Sequence, residues 1–203
     1  MRIFPLPTPT RWWLILSFLA GFACAMWAEE LILHWKEDRL RLSAPRFHFL
    51  DGRPLDRLKN GASVPFDFQL TVSEGSRNDV FERSAERFVF SYDLWEEKFS
   101  VSKMRPPRRN ISHLSAAAAE SWCLDNVQIS TAGLEGDKPL WFRLDIRSED
   151  DKDLPPVLGD PGISLTSLIE IFSRPARGAQ PHWTLEAGPL RLDDIKRSSG
   201  RGT

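Results

Sequence analysis

A run of 16 residues without a charged side chain, Trp12–Trp27, constrains this chain more than any other feature. As a helix it would measure about 24 Å, which approaches the roughly 30 Å hydrocarbon core of a membrane. Arg2 and Arg11 precede the run, whereas Glu29 and Glu30 follow it directly. Because positive charge resists translocation, this asymmetry predicts a cytoplasmic N-terminus and an extracytoplasmic location for the bulk of the chain.

The ends of this run favour a single-pass segment that stays in the cell membrane. Indole rings prefer the headgroup layer, and tryptophans stand at both ends of the run. Three alternatives remain open: cleavage at the small residues 23–25, a less well matched lipoprotein cysteine at Cys24, and a buried helix of a cytosolic protein. The residues predicted to lie in the membrane are Trp12, Trp13, Leu14, Ile15, Leu16, Phe18, Leu19, Phe22 and Trp27.

The chain then divides into a signal-anchor at 1–28, a β-rich domain at 29–195 and a disordered tail at 196–203. Without the leader, 175 residues remain, which is enough for one domain with its own core. They carry 25 basic and 28 acidic side chains, a balance that gives no general attraction to nucleic acid. Cys123 is the one exported cysteine, and its apolar context predicts a small buried side chain.

Alternating apolar and polar residues predict a mainly β domain. In the clearest strand, 64–72, every second residue is apolar from Val64 onward. Short strands at regular spacing, without long helices between them, are typical of an antiparallel β-sandwich, here of about seven or eight strands. The segments considered as strands are 31–35, 39–42, 46–50, 64–72, 81–91, 98–102, 126–131, 140–147 and 183–187.

Two or three short helices accompany the strands. They are predicted at 55–60, 114–124 and 164–172. Gly61 would end the first helix, and either Ser112 or Ser115 would cap the second. The dipeptide at 188–189, Gly-Pro, is expected to end the last strand, and the acidic, proline-bearing stretch 148–162 is expected to be an exposed loop.

The order of these elements resembles a known bacterial family. The stretches that carry the resemblance are Leu40–Ala44, Leu58–Gly61, Val64–Phe68, Arg87–Phe88 with Tyr92 and Phe99, the helix 114–124, and Trp141–Leu144. Over roughly residues 30–190 the chain is similar to the family called domain of unknown function 4390. The resemblance implies an exported protein with an N-terminal hydrophobic segment and a β-rich domain. That family offers no catalytic residues to carry over.

No motif for catalysis or metal binding stands out. The histidines are His34, His48, His113 and His182, and none has the spacing of a local zinc site, so no metal or cofactor is predicted. Residues 100–103 match Ser-x-x-Lys but fall on a predicted strand, which does not present a nucleophile at a helix start. The acidic run 149–153 suits calcium, but it lacks the EF-hand glycine and contains Lys152, so a solvated loop is predicted.

Two kinds of residue are candidates for contact with a partner. A proline-broken basic loop offers cations to anionic headgroups or to an acidic protein, and two tryptophans lie beside turns where the core does not obviously need them. The candidates are Lys103, Arg105, Arg108, Arg109, Trp95 and Trp183.

An anchor, a β-rich domain and the lack of an assembled catalytic motif favour a non-catalytic binding or adaptor module of the bacterial envelope. Its partner would be another envelope protein. One alternative is a lipid- or glycan-binding domain at the membrane surface, with the loop 103–109 touching headgroups. The other is an envelope hydrolase whose residues come together only in the fold.

Overall fold

A computed structural model describes residues 31–149 and 180–200 of this chain, and these residues form a mainly β fold. The predicted membrane segment, its flanking charges, most of the acidic loop and the predicted helix 164–172 lie outside the described residues. No helix in the described ranges is long and apolar enough to cross a membrane.

The described ranges contain nine strands and three helices. The strands are β1 (Ile32–Lys36), β2 (Arg39–Ser43), β3 (Val64–Glu74), β4 (Val80–Asp93), β5 (Lys98–Lys103), β6 (Arg109–Leu114), β7 (Gln128–Ser130), β8 (Pro139–Ser148) and β9 (His182–Arg191). The helices are α1 (Gly52–Lys59), α2 (Ala116–Asn126) and α3 (Leu192–Ser199).

The strands form two sheets in which every pairing is antiparallel. The smaller sheet has the order β1-β2-β7, and the larger has the order β6-β5-β4-β3-β8-β9. The predicted hairpin of β1 and β2 is confirmed. Its two turn residues, Glu37 and Asp38, both have positive φ, as a two-residue turn between twisted strands requires.

Strand β3 lies at the centre of the larger sheet, and its alternate side chains point to an inner and an outer face of that sheet. The apolar residues from Val64 to Val72 are all fully buried on the inner face, as their alternation predicts. One hydrophobic cluster joins them to leucines of the smaller sheet such as Leu40 and Leu42. The polar residues of β3 therefore lie on the outer face of the larger sheet.

The predicted strand at 46–50 is absent, because this segment pairs with no strand, although Phe47, Phe49 and Leu50 are buried. Its side chains explain the alternation. The Phe49 ring lies at the centre of the core, with ring centroids 5.1 Å from Phe66, 5.4 Å from Phe68 and 5.9 Å from Phe90. The alternation therefore reflects which side chains are buried. The N–H groups of Phe49 and Leu50 donate to the side chain of Glu120 on α2 and not to a neighbouring strand.

Helices α1 and α2 occur where they were predicted, although α1 begins three residues earlier, at Gly52, and α2 is shifted by two residues toward the C-terminus. Helix α1 is followed by Gly61, which has a φ of +84°. Of the two candidate caps for α2, the structure selects Ser115, whose hydroxyl accepts a hydrogen bond from the Ala118 N–H.

Helix α3 corrects the prediction of a tail that begins at Lys196. Leu192 and Ile195 are buried, and the Ser199 hydroxyl accepts a 2.8 Å hydrogen bond from the Trp35 N–H. The helix contacts edge strand β1. Two apolar residues in eight gave no clear helical pattern, so only the packing against β1 reveals this element.

Two edge strands also differ from expectation. Strand β6 was not predicted, since only Ile111 and Leu114 in it are apolar. Strand β9 runs through Gly188 and Pro189, which were expected to end it. An edge strand can include proline, because one side of its backbone has no neighbouring strand to bond.

Candidate functional site

The basic loop does not present four solvated cations, as the sequence suggested. Lys103 is only 8% exposed. Its Nζ lies 3.0 Å from Oε1 of Glu86 and donates to the Asn126 carbonyl oxygen at 3.3 Å. Burial raises the pKa of Glu86, and Lys103 opposes that shift. The Lys103 ammonium therefore balances a buried carboxylate and is not available to a headgroup.

The Arg105 side chain also makes a contact within the fold. Strand β5 ends at Lys103, so the backbone of β4 near Ala85 has no strand partner on that side, and the Arg105 guanidinium donates to the Ala85 carbonyl oxygen. Arg108 and Arg109 are exposed, and Arg109 begins β6. For these two arginines a contact with headgroups or a protein stays a prediction.

The two candidate tryptophans have different environments. Trp183 is half-buried, with its ring centroid 6.2 Å from that of Phe49 and 6.3 Å from that of Phe66, so it closes one side of the core. Trp95 is 96% exposed, and its neighbour Leu94 is 57% exposed. Trp95 therefore contributes almost nothing to the core.

The turn that carries Trp95, residues 93–97, is named the hairpin tip. Oδ1 of Asp93 accepts hydrogen bonds from the N–H groups of Trp95 and Glu96, at 2.8 and 3.1 Å, and these bonds lower the Asp93 pKa. Oε2 of Glu96 lies 2.6 Å from Nδ1 of His113 on β6. The backbone beneath the exposed indole is thus ordered by side-chain contacts within the tip and to the next strand.

No group of three His, Cys, Asp or Glu side chains in the described residues could hold a metal ion. His34 contacts the Ser43 hydroxyl at 2.9 Å. His48 contacts Glu120, with 2.7 Å between Nδ1 and Oε2. Cys123 is fully buried, which confirms the predicted small buried side chain, and burial raises the pKa of its thiol well above the ordinary value.

Glu120 on α2 is the polar centre of the interior. Its Oε1 accepts hydrogen bonds from the N–H groups of Phe49 and Leu50, at 2.7 and 2.8 Å. These are the backbone groups that the segment 46–50 would otherwise leave unpaired. Glu120 is 3% exposed, whereas the side chain of its partner His48 is 60% exposed. The geometry gives Glu120 a structural role in fixing the chain segment that carries Phe49.

A second buried cluster lies on the outer face, at the end of β8. Arg87 donates two hydrogen bonds to Asp67, directly across the β3–β4 pair, and its Nη2 lies 2.9 Å from Oε2 of Glu149. All three are less than a tenth exposed. Burial, and next the charge of Asp67, raise the pKa of Glu149 to about 7, although Arg87 lowers it.

A groove of about 620 Å³ lies on the outer face of the larger sheet, at the opposite end from this cluster. It is lined by Gln69, Thr71, Ser73, Arg77, Asn78, Val80, Arg83, Trp141, Phe142, Arg143, Asp145, Glu186, Ala187 and Gly188. These residues come from four adjacent strands and from the turn between β3 and β4. The lining is named the sheet groove.

Sequence reasoning missed the sheet groove, because its residues are spread over more than a hundred positions. The one signal was that the outward-facing positions of two strands, 141–145 and 69–73, are polar or aromatic and include Arg143 and Trp141. Alternation predicts that these residues share a face, but it does not predict which strands are neighbours.

No protein-family model, curated protein or solved structure matches this chain. The resemblance to domain of unknown function 4390 therefore stays a prediction.

Proposed function

We propose that this protein is a non-catalytic binding module of the bacterial envelope. In this proposal residues 12–27 hold it in the membrane, the two sheets form an extracytoplasmic β-sandwich, and the hairpin tip binds a protein partner. The observation that carries the proposal is the indole of Trp95, which is 96% exposed on a turn ordered by hydrogen bonds.

Exposed tryptophans on ordered backbone are favourable anchors for a protein interface. Such a side chain loses little conformational entropy on binding and buries a large apolar area, which is why tryptophan dominates many interfaces. At the hairpin tip Leu94 extends this apolar surface. The partner is therefore expected to offer an apolar pocket of about the size of an indole ring.

Charge distinguishes a protein partner from a lipid surface. The hairpin tip carries three carboxylates, on Asp93, Glu96 and Glu97. Anionic lipid headgroups would repel them, because like charges near a membrane surface are unfavourable. A protein pocket with a basic rim would attract them. The hairpin tip thus favours a protein over a membrane.

Photo-crosslinking in intact membranes tests this proposal. A photoreactive amino acid replaces Trp95 in the full chain, and a second variant carries it at the exposed Arg109 as a matched control. We expect a discrete protein adduct from position 95 and none of that size from position 109. Changing both Glu96→Lys and Glu97→Lys should reduce the yield of that adduct at least five-fold.

Adducts from position 95 that consist only of lipid, or a pattern identical to that from position 109, would contradict the proposal. A second candidate function, a lipid contact through the loop 103–109, is supported by the exposure of Arg108 and Arg109. It predicts lipid adducts from position 109 that decrease with added salt. The hydrolase alternative remains a hypothesis, which substitution of each histidine in turn would test.

A further inference from the structure

Two β-bulges flank the sheet groove, one in β4 and one in β9, and both lie beside the same pair of residues on the two central strands. Ser73 of β3 and Trp141 of β8 are directly paired there. On one side β4 carries the extra residue Phe81, and on the other β9 places Gly188 and Pro189 opposite Trp141. Bulges bend and twist a strand, and they re-aim the neighbouring side chains. Both outer strands of the groove therefore have an irregular register here, and the bulge of β9 lies directly beside Trp141.

The bulge in β9 brings the backbone unusually close to β8. Gly188 has a φ of +123°, and a Cβ atom there would lie 2.6 Å from the Leu140 carbonyl oxygen and 3.3 Å from the Trp141 ring. Only glycine fits this approach. The half-buried indole of Trp141 is therefore held in the wall of the groove by backbone on one side.

The sheet groove carries one positive charge in excess among the described residues. Arg143 is paired with Asp145, with 3.0 Å between Nε and Oδ2, and Arg77 lies 3.7 Å from Glu186. The exposed Arg83 has no ion pair in the described ranges. A guanidinium binds a planar carboxylate through two parallel hydrogen bonds, so Arg83 is available to a ligand carboxylate.

We propose that the sheet groove is a binding site for an acidic oligosaccharide, a chain of sugars that bears carboxylate groups. Arg83 would bind a carboxylate, the indole of Trp141 would contact the apolar face of a sugar ring, and Asp145 and Glu186 would accept hydrogen bonds from hydroxyl groups. A volume of about 620 Å³ accommodates a ligand of two or three sugar rings.

The lining favours this ligand over the other classes of anion. A lipid needs a continuous apolar slot, but polar and charged side chains from all four strands interrupt this groove. An acidic peptide strand would add to the free edge of β9, whereas Arg83, Trp141 and Asp145 lie on the face of the sheet, on strands β4 and β8 that are paired on both sides. Paired carboxylates and guanidiniums beside an aromatic ring suit a ligand rich in hydroxyl groups.

This site is independent of the hairpin tip. The sheet groove lies at the start of β4, near Val80, and the tip lies at its end, near Asp93. Ten residues of extended chain separate Arg83 in the groove from Asp93 in the tip, a distance of about 33 Å. The two sites can therefore be tested separately.

Calorimetry on the full chain in detergent tests the proposal with defined probes. The probes are trisaccharides of galacturonate, glucuronate and mannuronate, the methyl ester of each, and triglutamate. We expect at least one uronate trisaccharide to bind, its neutral ester to bind at least ten-fold more weakly, and triglutamate to bind at least ten-fold more weakly. Arg83→Gln should weaken the affinity for the uronate trisaccharide at least ten-fold, whereas Arg109→Gln should change that affinity less than two-fold.

Among the residues that the structure describes, Arg83 has no ion-pair partner to leave unpaired, so its variant should unfold at the same temperature as the native chain. Failure of all three uronates to bind at millimolar concentration would overturn the proposal. Equal binding of triglutamate would overturn the sugar class and indicate a site for acidic peptides. Uronate binding that survives Arg83→Gln would place the ligand outside the sheet groove.

Discussion

Glu120 is the residue that makes the segment 46–50 possible. An extended chain that pairs with no strand leaves N–H groups without partners in the interior, and each such group costs about 1–3 kcal/mol. The Glu120 carboxylate accepts two of them, from Phe49 and Leu50. It thereby holds in place the ring that contacts Phe66, Phe68 and Phe90.

Glu120→Ala should lower the free energy of unfolding by about 3 kcal/mol or more, because both N–H groups lose their acceptor. Glu120→Gln keeps one side-chain oxygen and should cost less than half as much. Urea denaturation of both variants measures the difference, and Glu135→Gln, an exposed site, serves as the control. Equal effects of Ala and Gln would show that the two backbone contacts are not what stabilises the segment.

Within the cluster of Asp67, Arg87 and Glu149, two carboxylates share one guanidinium. Arg87 contacts both Asp67 and Glu149, and the more deeply buried Asp67 holds it with two hydrogen bonds. Burial and the charge of Asp67 therefore raise the pKa of Glu149 from 4.5 to about 7. Between pH 4.5 and about 7, the folded protein therefore retains a proton on Glu149 that the unfolded protein has already lost.

Stability should fall as the pH rises from about 4.5 to 7, because over that range the folded state binds more protons than the unfolded state. The contribution of Glu149 is at most about 3 kcal/mol. Glu149→Gln should flatten the pH dependence in this range and raise stability at pH 8. Denaturant midpoints measured from pH 4 to 8 test this.

Asp67→Asn is the contrasting variant, since it removes the carboxylate to which Arg87 donates two hydrogen bonds and leaves Glu149 as the remaining carboxylate partner in the described residues. It should destabilise the protein by about 3 kcal/mol at pH 7. A Glu149→Gln variant that is destabilised to the same extent would contradict the assignment of Glu149 as the excess charge.

At the scale of elements, strand β9 shows how one residue can decide where a strand continues. Gly188 and Pro189 normally end strands, and the sequence predicts an end here. In the structure they form a bulge opposite Trp141, and pairing resumes between Leu190 and Leu140. The strand continues because Gly188 adopts a φ of +123° close to the β8 backbone.

Gly188→Ala should lower the free energy of unfolding by at least about 2 kcal/mol, since it adds a backbone clash to the strain of a positive φ. Gly75→Ala is the matched control. Its φ is +77°, but nothing lies within 4 Å of the added Cβ, so it should cost about 1 kcal/mol from strain alone. Thermal unfolding of the two variants compares the effects, and equal costs would contradict the close approach of β9 to β8.

At the scale of the whole molecule, the two faces of the larger sheet differ in the described residues. The inner face buries the apolar cluster together with the smaller sheet. The outer face carries both the Asp67–Arg87–Glu149 cluster and the sheet groove. The apolar core and the proposed ligand contacts thus depend on opposite faces of the same strands.

The proposed orientation in the membrane makes a separate prediction. Alkaline phosphatase fused after Thr203 should be active in intact cells, because that enzyme folds only outside the cytoplasm, and a cytoplasmic fluorescent reporter at the same position should be dark. Replacing Arg2 and Arg11 by Glu should reduce the phosphatase signal, since the charge asymmetry directs export. The opposite pattern of reporter activity would contradict the proposed location.

The sequence predicted best the elements that obey a local rule. Strand β3 and helix α2 follow from alternation and from a serine cap beside strong helix formers. The segment 46–50 satisfies the same alternation but forms no strand, because Glu120, 70 positions away, accepts its hydrogen bonds. Lys103 belongs to a basic run, but it is buried because Glu86 is its partner.

By itself, then, the sequence determined which residues of this protein are apolar on one face, where most helices and turns occur, and that the domain is mainly β. The tertiary structure alone decided the order of strands, the partners of the buried charges and the position of the sheet groove. The physical reason is the sequence separation over which each kind of interaction acts. Periodicity and capping act over a few residues, whereas a buried ion pair or a groove requires side chains that the chain brings together from distant positions.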